Sequence, residues 1–85
     1  MKKTSDTKIS DWETKNGLLT RVFTFRDFLE AMEFVNKVAF IAEIQQHHPD
    51  ITIEWNKVTL TLVTHDVGEI TEKDFLVAAD IDRIV

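Results

Sequence analysis

Apolar residues in this chain recur with two periods. Two segments repeat at about 3.6 residues and read as helices; others alternate every second residue and read as strands. Residues 1–11 show neither period, and we read them as a flexible or irregular arm ahead of one domain over residues 12–85. Asn16-Gly17 is a two-residue hairpin signal, because both residues tolerate positive φ. It predicts a short strand near Trp12 turning into a strand over Leu18 to Thr24. The outgoing strand alternates imperfectly, which leaves its buried face open.

A helix is expected from about Thr24, with the Thr24 hydroxyl capping the first turn and Asp27 near the positive end of the helix dipole. Phe28, Met32, Val35, Ala39 and Ala42 then mark one apolar stripe at steps of four and three. Phe40 and Ile44 fall on nearly the opposite side and call for cover from a second layer or from another subunit. Pro49 disfavours helical geometry at His48, so the helix should stop at about the histidine pair.

The segments 51–55 and 58–62 then alternate as a second hairpin. A turn at Asn56-Lys57 would set Trp55 opposite Val58, Ile53 opposite Leu60 and Ile51 opposite Leu62, all on one face. His65 would lie on the other face or just past the strand end. A second helix is expected from about Glu72, with Thr71 as N-cap, Asp74 completing a capping box, and Ile70 and Phe75 placed as a hydrophobic staple. The order β-β-α-β-β-α predicts an α+β fold, a four-stranded antiparallel sheet with helices packed on one face.

Composition narrows the function. Eighty-five residues, 44% hydrophobic and 29% charged, suit one small globular domain. A net charge of −5 with dispersed Lys and Arg argues against a nucleic-acid surface, and no apolar run is long enough to span a membrane. The absence of cysteine removes thiol chemistry and fits a reducing compartment. Met1-Lys2-Lys3 is not followed by the apolar core of an export signal, so a cytoplasmic protein is expected. The two glycines, Gly17 and Gly68, form no phosphate-cradling loop, and no Ser or Thr stands in a nucleophile motif.

What remains is histidine. All three imidazoles fall in one set: Glu43, His47, His48, Pro49, then Trp55, His65 and Asp74. Imidazole titrates near neutrality, so a cluster of it suits proton transfer. Glu43 and His47, four apart, would share a helix side, and the hairpin beside the helix end could deliver His65. Each residue also has an ordinary role. An imidazolium at a helix C-terminus interacts favourably with the dipole, Asp74 is a capping carboxylate, and Trp55 is a core residue of the hairpin. Three imidazoles and a carboxylate could bind zinc, but adjacent histidines chelate one ion poorly and the usual His-x3-His or His-x-His spacing is missing.

The spacing of this set closely resembles that of the pterin-4a-carbinolamine dehydratases. The family pattern of an acidic residue, three residues, His-His-Pro, an aromatic, a His and an Asp is matched by Glu43, His47, His48, Pro49, Trp55, His65 and Asp74. Phe34-Val35-Asn36-Lys37-Val38-Ala39, Trp55-Asn56-Lys57-Val58 and Thr64-His65-Asp66 match the surrounding text, and Trp12 stands where the family has a tryptophan before its first hairpin. Two features depart from it. The eleven residues before Trp12 leave little room for the usual leading helix, and Asp50-Ile51 replaces an acidic residue followed by an aromatic.

The resemblance implies dehydration of a 4a-hydroxytetrahydropterin to the quinonoid dihydropterin, in tetrahydrobiopterin recycling, without metal or organic cofactor. It implies catalytic roles for His47, His48 and His65, with His47 and His65 moving protons and His48 mainly binding the pterin. Glu43 would orient His47 or stabilise its charged form, with Trp12, Trp55 and Asp74 helping to bind or orient substrate. It also implies a homo-oligomer, a dimer or tetramer. Two other roles stay open: a non-catalytic interaction protein, since some members of the family act as dimerisation cofactors of a homeodomain transcription factor, and a catalytic domain serving another pterin pathway such as molybdopterin metabolism.

Overall fold

A computed structural model describes residues 11–85; the expected arm over residues 1–11 lies, but for Asp11, outside them. The chain runs β1 (Glu13–Lys15), β2 (Leu18–Thr24), α1 (Phe28–Gln45), β3 (Asp50–Glu54), β4 (Lys57–Leu62) and α2 (Glu72–Arg83). The four strands form one antiparallel sheet in the order β1-β2-β4-β3. This is the expected α+β fold.

The first hairpin turns at Asn16-Gly17, with φ of 54° and 78°, and pairs Lys15 with Leu18. Leu19 and Phe23 of β2 and Val58, Leu60 and Leu62 of β4 share the buried face of the sheet. There they meet Ala31, Phe34 and Val38 of α1 and Val77, Ala78 and Ile81 of α2. Arg21 lies on the same face and explains the broken alternation of β2. Its guanidinium covers the Phe23 ring at 4.4 Å and pairs with the buried Asp82 carboxylate of α2 at 2.6 Å. Burial pushes the Asp82 carboxyl above its ordinary range, although the Trp12 hydrogen bond and Arg21 oppose that rise.

Three local expectations are corrected. Helix α1 starts later than Thr24, because Asp27 is its N-cap and accepts a hydrogen bond from the Glu30 N–H at 2.9 Å. The core stripe of α1 is Ala31, Phe34, Val38 and Ala42, not the one that includes Phe28 and Ala39. Phe34 turns the helix by packing its ring 4.7 Å from that of Phe23 and 4.9 Å from that of Phe25. The second hairpin turns at Trp55-Asn56, pairing Ile53 with Val58 and Ile51 with Leu60. Phe25 dictates that register: its N–H donates to the Asn56 carbonyl at 2.8 Å, and the Asn56 amide returns a 2.8 Å bond to the Phe25 carbonyl. The slip is by two positions, so Ile51, Ile53, Val58, Leu60 and Leu62 keep their face, whereas Trp55, expected opposite Val58 as a core residue, leaves the strand for the turn and is exposed.

Candidate active site

The end of α1 sets the site. Gln46 adopts the left-handed conformation, φ 54°, and its N–H bonds the Glu43 carbonyl while the His47 N–H bonds that of Ala42. This Schellman closure halts the helix before Pro49 can, and throws His47 off the helix axis. The i,i+4 relation between Glu43 and His47 is therefore lost. Glu43 pairs instead with His48, Oε2 to Nε2 at 2.6 Å in an exposed contact, which corrects the expectation that it would serve His47. Gln45 ties this corner to α2 through Asp80 at 2.5 Å.

His47 turns toward the start of α2, where its Nε2 lies 2.6 Å from Asp74 Oδ1. Its side chain is 13% exposed and that of Asp74 is 0%. Asp74 forms the expected capping box with Thr71, its Oδ2 accepting the Thr71 N–H at 2.8 Å. The same oxygen also accepts the Thr64 hydroxyl at 2.8 Å. Burial by itself would raise the pKa of this carboxyl. The hydrogen bonds from His47, the Thr71 backbone and Thr64, with the charge of His47, outweigh burial and hold it below its ordinary value.

His65 comes from a turn just past β4, closed by a bridge between Thr64 and Glu69. His47, His48 and His65 then line one cleft of about 240 Å³ with Gln46, Thr64 and Lys73. A larger hollow of about 310 Å³, bounded by Phe25, Phe34 and Ile84, contains no imidazole. Glu30, Glu33 and Lys37 also line that hollow, so it is the three imidazoles that mark the smaller cleft as the chemical one. Among the described residues, no three His, Asp or Glu side chains are grouped to hold a metal ion.

Trp12 and Trp55 do not join this cleft. Trp12 is buried in the core, edge-on to Phe23, with its indole N–H on Asp82 at 2.9 Å. That contact lies two turns further along α2 than Asp74, roughly 12 Å away. Trp55 occupies the β3–β4 turn at φ 53°, 66% exposed, the length of β3 or roughly 16 Å from the histidine corner. Within one chain neither can orient a ligand held by the imidazoles. Sequence reasoning in turn passed over Thr64 and Lys73 as parts of the site. Their adjacency to His65 and Asp74 was the available signal.

Comparison with known proteins gives the family. The family model described as Pterin 4 alpha carbinolamine dehydratase matches residues 1–84. The chain belongs to that family. A relative in Chloroflexus aurantiacus named "Putative pterin-4-alpha-carbinolamine dehydratase" is 51% identical over 75 residues, covering 88% of this chain and 81% of its own. One of the same name in Trichormus variabilis is 51% identical over 77 residues, covering 91% and 83%. The crystal structure of a transcriptional coactivator/pterin dehydratase from Brucella melitensis superposes with a TM-score of 0.84 at 33% identity, over 89% of this chain and 83% of that one. A pterin dehydratase-like protein identified as a RuBisCO assembly factor in the alpha-carboxysome shares the fold, with a TM-score of 0.69 at 23% identity over 85% and 83%. The matched residues 1–84 span the sheet and both helices.

Proposed function

We propose that this protein dehydrates a 4a-hydroxytetrahydropterin to the quinonoid dihydropterin and water by histidine acid–base catalysis, in the recycling of tetrahydrobiopterin. The observation that carries the proposal is the convergence of His47, His48 and His65 on one cleft, two of them already bound to carboxylates. In the reaction a base removes the N5 proton, the N5–C4a double bond forms, and the C4a–O bond breaks. The departing hydroxyl takes a proton from an acid and leaves as water. Imidazole supplies both groups near neutral pH, so no metal or organic cofactor is required. His47 and His65 are assigned to the two proton transfers. His48, held by the exposed Glu43, binds and orients the pterin.

The helix surface supports a further element of this reading, a homo-oligomer. Phe40 and Ile44, on the side of α1 away from the core, are 72% and 78% exposed, and both edge strands of the sheet lack a partner among the described residues. A second copy covering that side of α1 would bury them. No helix of the described residues is long and apolar enough to cross a membrane.

Stopped-flow absorbance of freshly generated 4a-carbinolamine tests the activity. The protein should accelerate its decay well beyond the buffer rate. Equal decay with and without protein would refute the enzyme and favour a regulatory or assembly role.

A further inference from the structure

The hydroxyl and carboxylate groups behind His47 form a chain whose proton directions are fixed by elementary counting. Asp74, as a carboxylate, only accepts hydrogen bonds. The single hydroxyl proton of Thr64 is therefore committed to Asp74 Oδ2, at 2.8 Å. The 2.6 Å contact between the Thr64 and Thr71 hydroxyls must then use the Thr71 proton. Thr71 Oγ1 in turn accepts from the Lys73 backbone N–H at 3.2 Å. Protons thus point one way, from Lys73 N through Thr71 and Thr64 to Asp74. With the Thr71 N–H also on it, Oδ2 has two donors, and Oδ1 is left to His47. Facing that acceptor, His47 Nε2 must carry a hydrogen. In the neutral ring the lone pair is then on Nδ1, which no described residue occupies.

We propose that Thr64 is a positioning residue: taking a proton from Thr71 and giving its own to Asp74, it aligns that carboxylate so that neutral His47 is held as the Nε2–H tautomer, with Nδ1 as its reacting nitrogen. The assignment of Nδ1 as the reacting atom rests on the dehydratase reading above; the tautomer does not. Thr64 is buried and its backbone closes the turn that carries His65, so one residue coordinates the supports of two of the imidazoles. With valine at this position, Oδ2 keeps only the Thr71 N–H. The carboxylate can then swing about χ2, and Oδ1 no longer stays in line with Nε2.

The test is two-bond proton–nitrogen NMR of the full-length, histidine-labelled protein at a pH where imidazole is neutral, read beside the dehydration rate. Wild-type His47 should show the Nε2–H pattern. Thr64→Val should mix the two tautomers and lower kcat by about tenfold with KM within about twofold, and Thr64→Ser should restore both. Asp74→Asn supplies a second handle should Thr64→Val fail to fold. Two donors from Thr64 and Thr71 would hold its amide oxygen, turn its NH2 toward His47 and convert the ring to Nδ1–H. An Nδ1–H wild-type ring, a Thr64→Val protein with unmixed tautomer and wild-type kcat, or an Asp74→Asn protein that keeps Nε2–H would each overturn the proposal. Absence of turnover in wild type with the NMR pattern intact would sink the enzymatic reading alone.

Discussion

Replacing Asp74 separates a surface cap from a buried keystone. A capping carboxylate on an exposed helix start is worth about 1 kcal/mol. Asp74 is fully buried, and Asp74→Ala removes the acceptor of three hydrogen bonds at once, from His47, the Thr71 N–H and the Thr64 hydroxyl. The three donors do not suffer equally. His47 retains some exposure and can turn to water, and the Thr64 hydroxyl can rotate, whereas the Thr71 N–H has no substitute. Counting about 1–3 kcal/mol for the stranded backbone donor and about 1 kcal/mol for each of the others gives a loss of about 3–5 kcal/mol. That is a large share of the roughly 5–15 kcal/mol that holds a domain together. Asp74→Asn keeps the volume and two of the three acceptor contacts and should cost only about 1 kcal/mol. Urea unfolding followed by circular dichroism measures both, provided the slope is unchanged so that midpoints report stability. An Asp74→Ala loss below about 1 kcal/mol, or equal losses for the two variants, would refute the reasoning, because Asp74 would then act as an ordinary cap.

Other outcomes follow from the same geometry. His47→Ala and His65→Ala should each lower the dehydration rate by about a hundredfold or more, while His48→Ala acts mainly on KM; steady-state kinetics of the three variants distinguishes them. Exhaustive chelation should leave activity intact, and stoichiometric zinc whose removal and return abolish and restore turnover would count against imidazole acid–base chemistry. The Asp74 pKa is depressed in the folded protein, so its contribution to stability is complete above the unfolded value of 3.8 and is lost as pH falls through the lower folded value. Urea midpoints should therefore drop more steeply below pH 3.8 for wild type than for Asp74→Asn. Ile44→Glu should lower the assembly mass seen by light scattering, and a wild-type protein found only at its chain mass of 9.9 kDa would refute the oligomer.

Much of this protein is written in local pattern. Asn16-Gly17 specifies its turn because tolerance of positive φ is local to that dipeptide, and the Thr71–Asp74 capping box likewise needs only a four-residue window. The alternation of Ile51, Ile53, Val58, Leu60 and Leu62 selects one face of the hairpin for every register that differs by an even number of positions, which is why the face survived a slip of two. The collection of all three imidazoles into one cleft was also legible, since the candidates were few and each bordered a predicted element end. Long-range contacts decided the rest. Phe25, distant in sequence, captured Asn56 and moved the turn onto Trp55, and Phe23 with Phe25 rotated α1 so that Phe34 faces inward. Trp12 was drawn into the core because its indole N–H found a buried carboxylate at the far end of α2. The partnering of imidazole with carboxylate could not be read from spacing either. Helical periodicity joins Glu43 to His47, but a left-handed Gln46 breaks that periodicity one residue too early. Only the docking of α1 against α2 gives Asp74 to His47 and leaves Glu43 to His48.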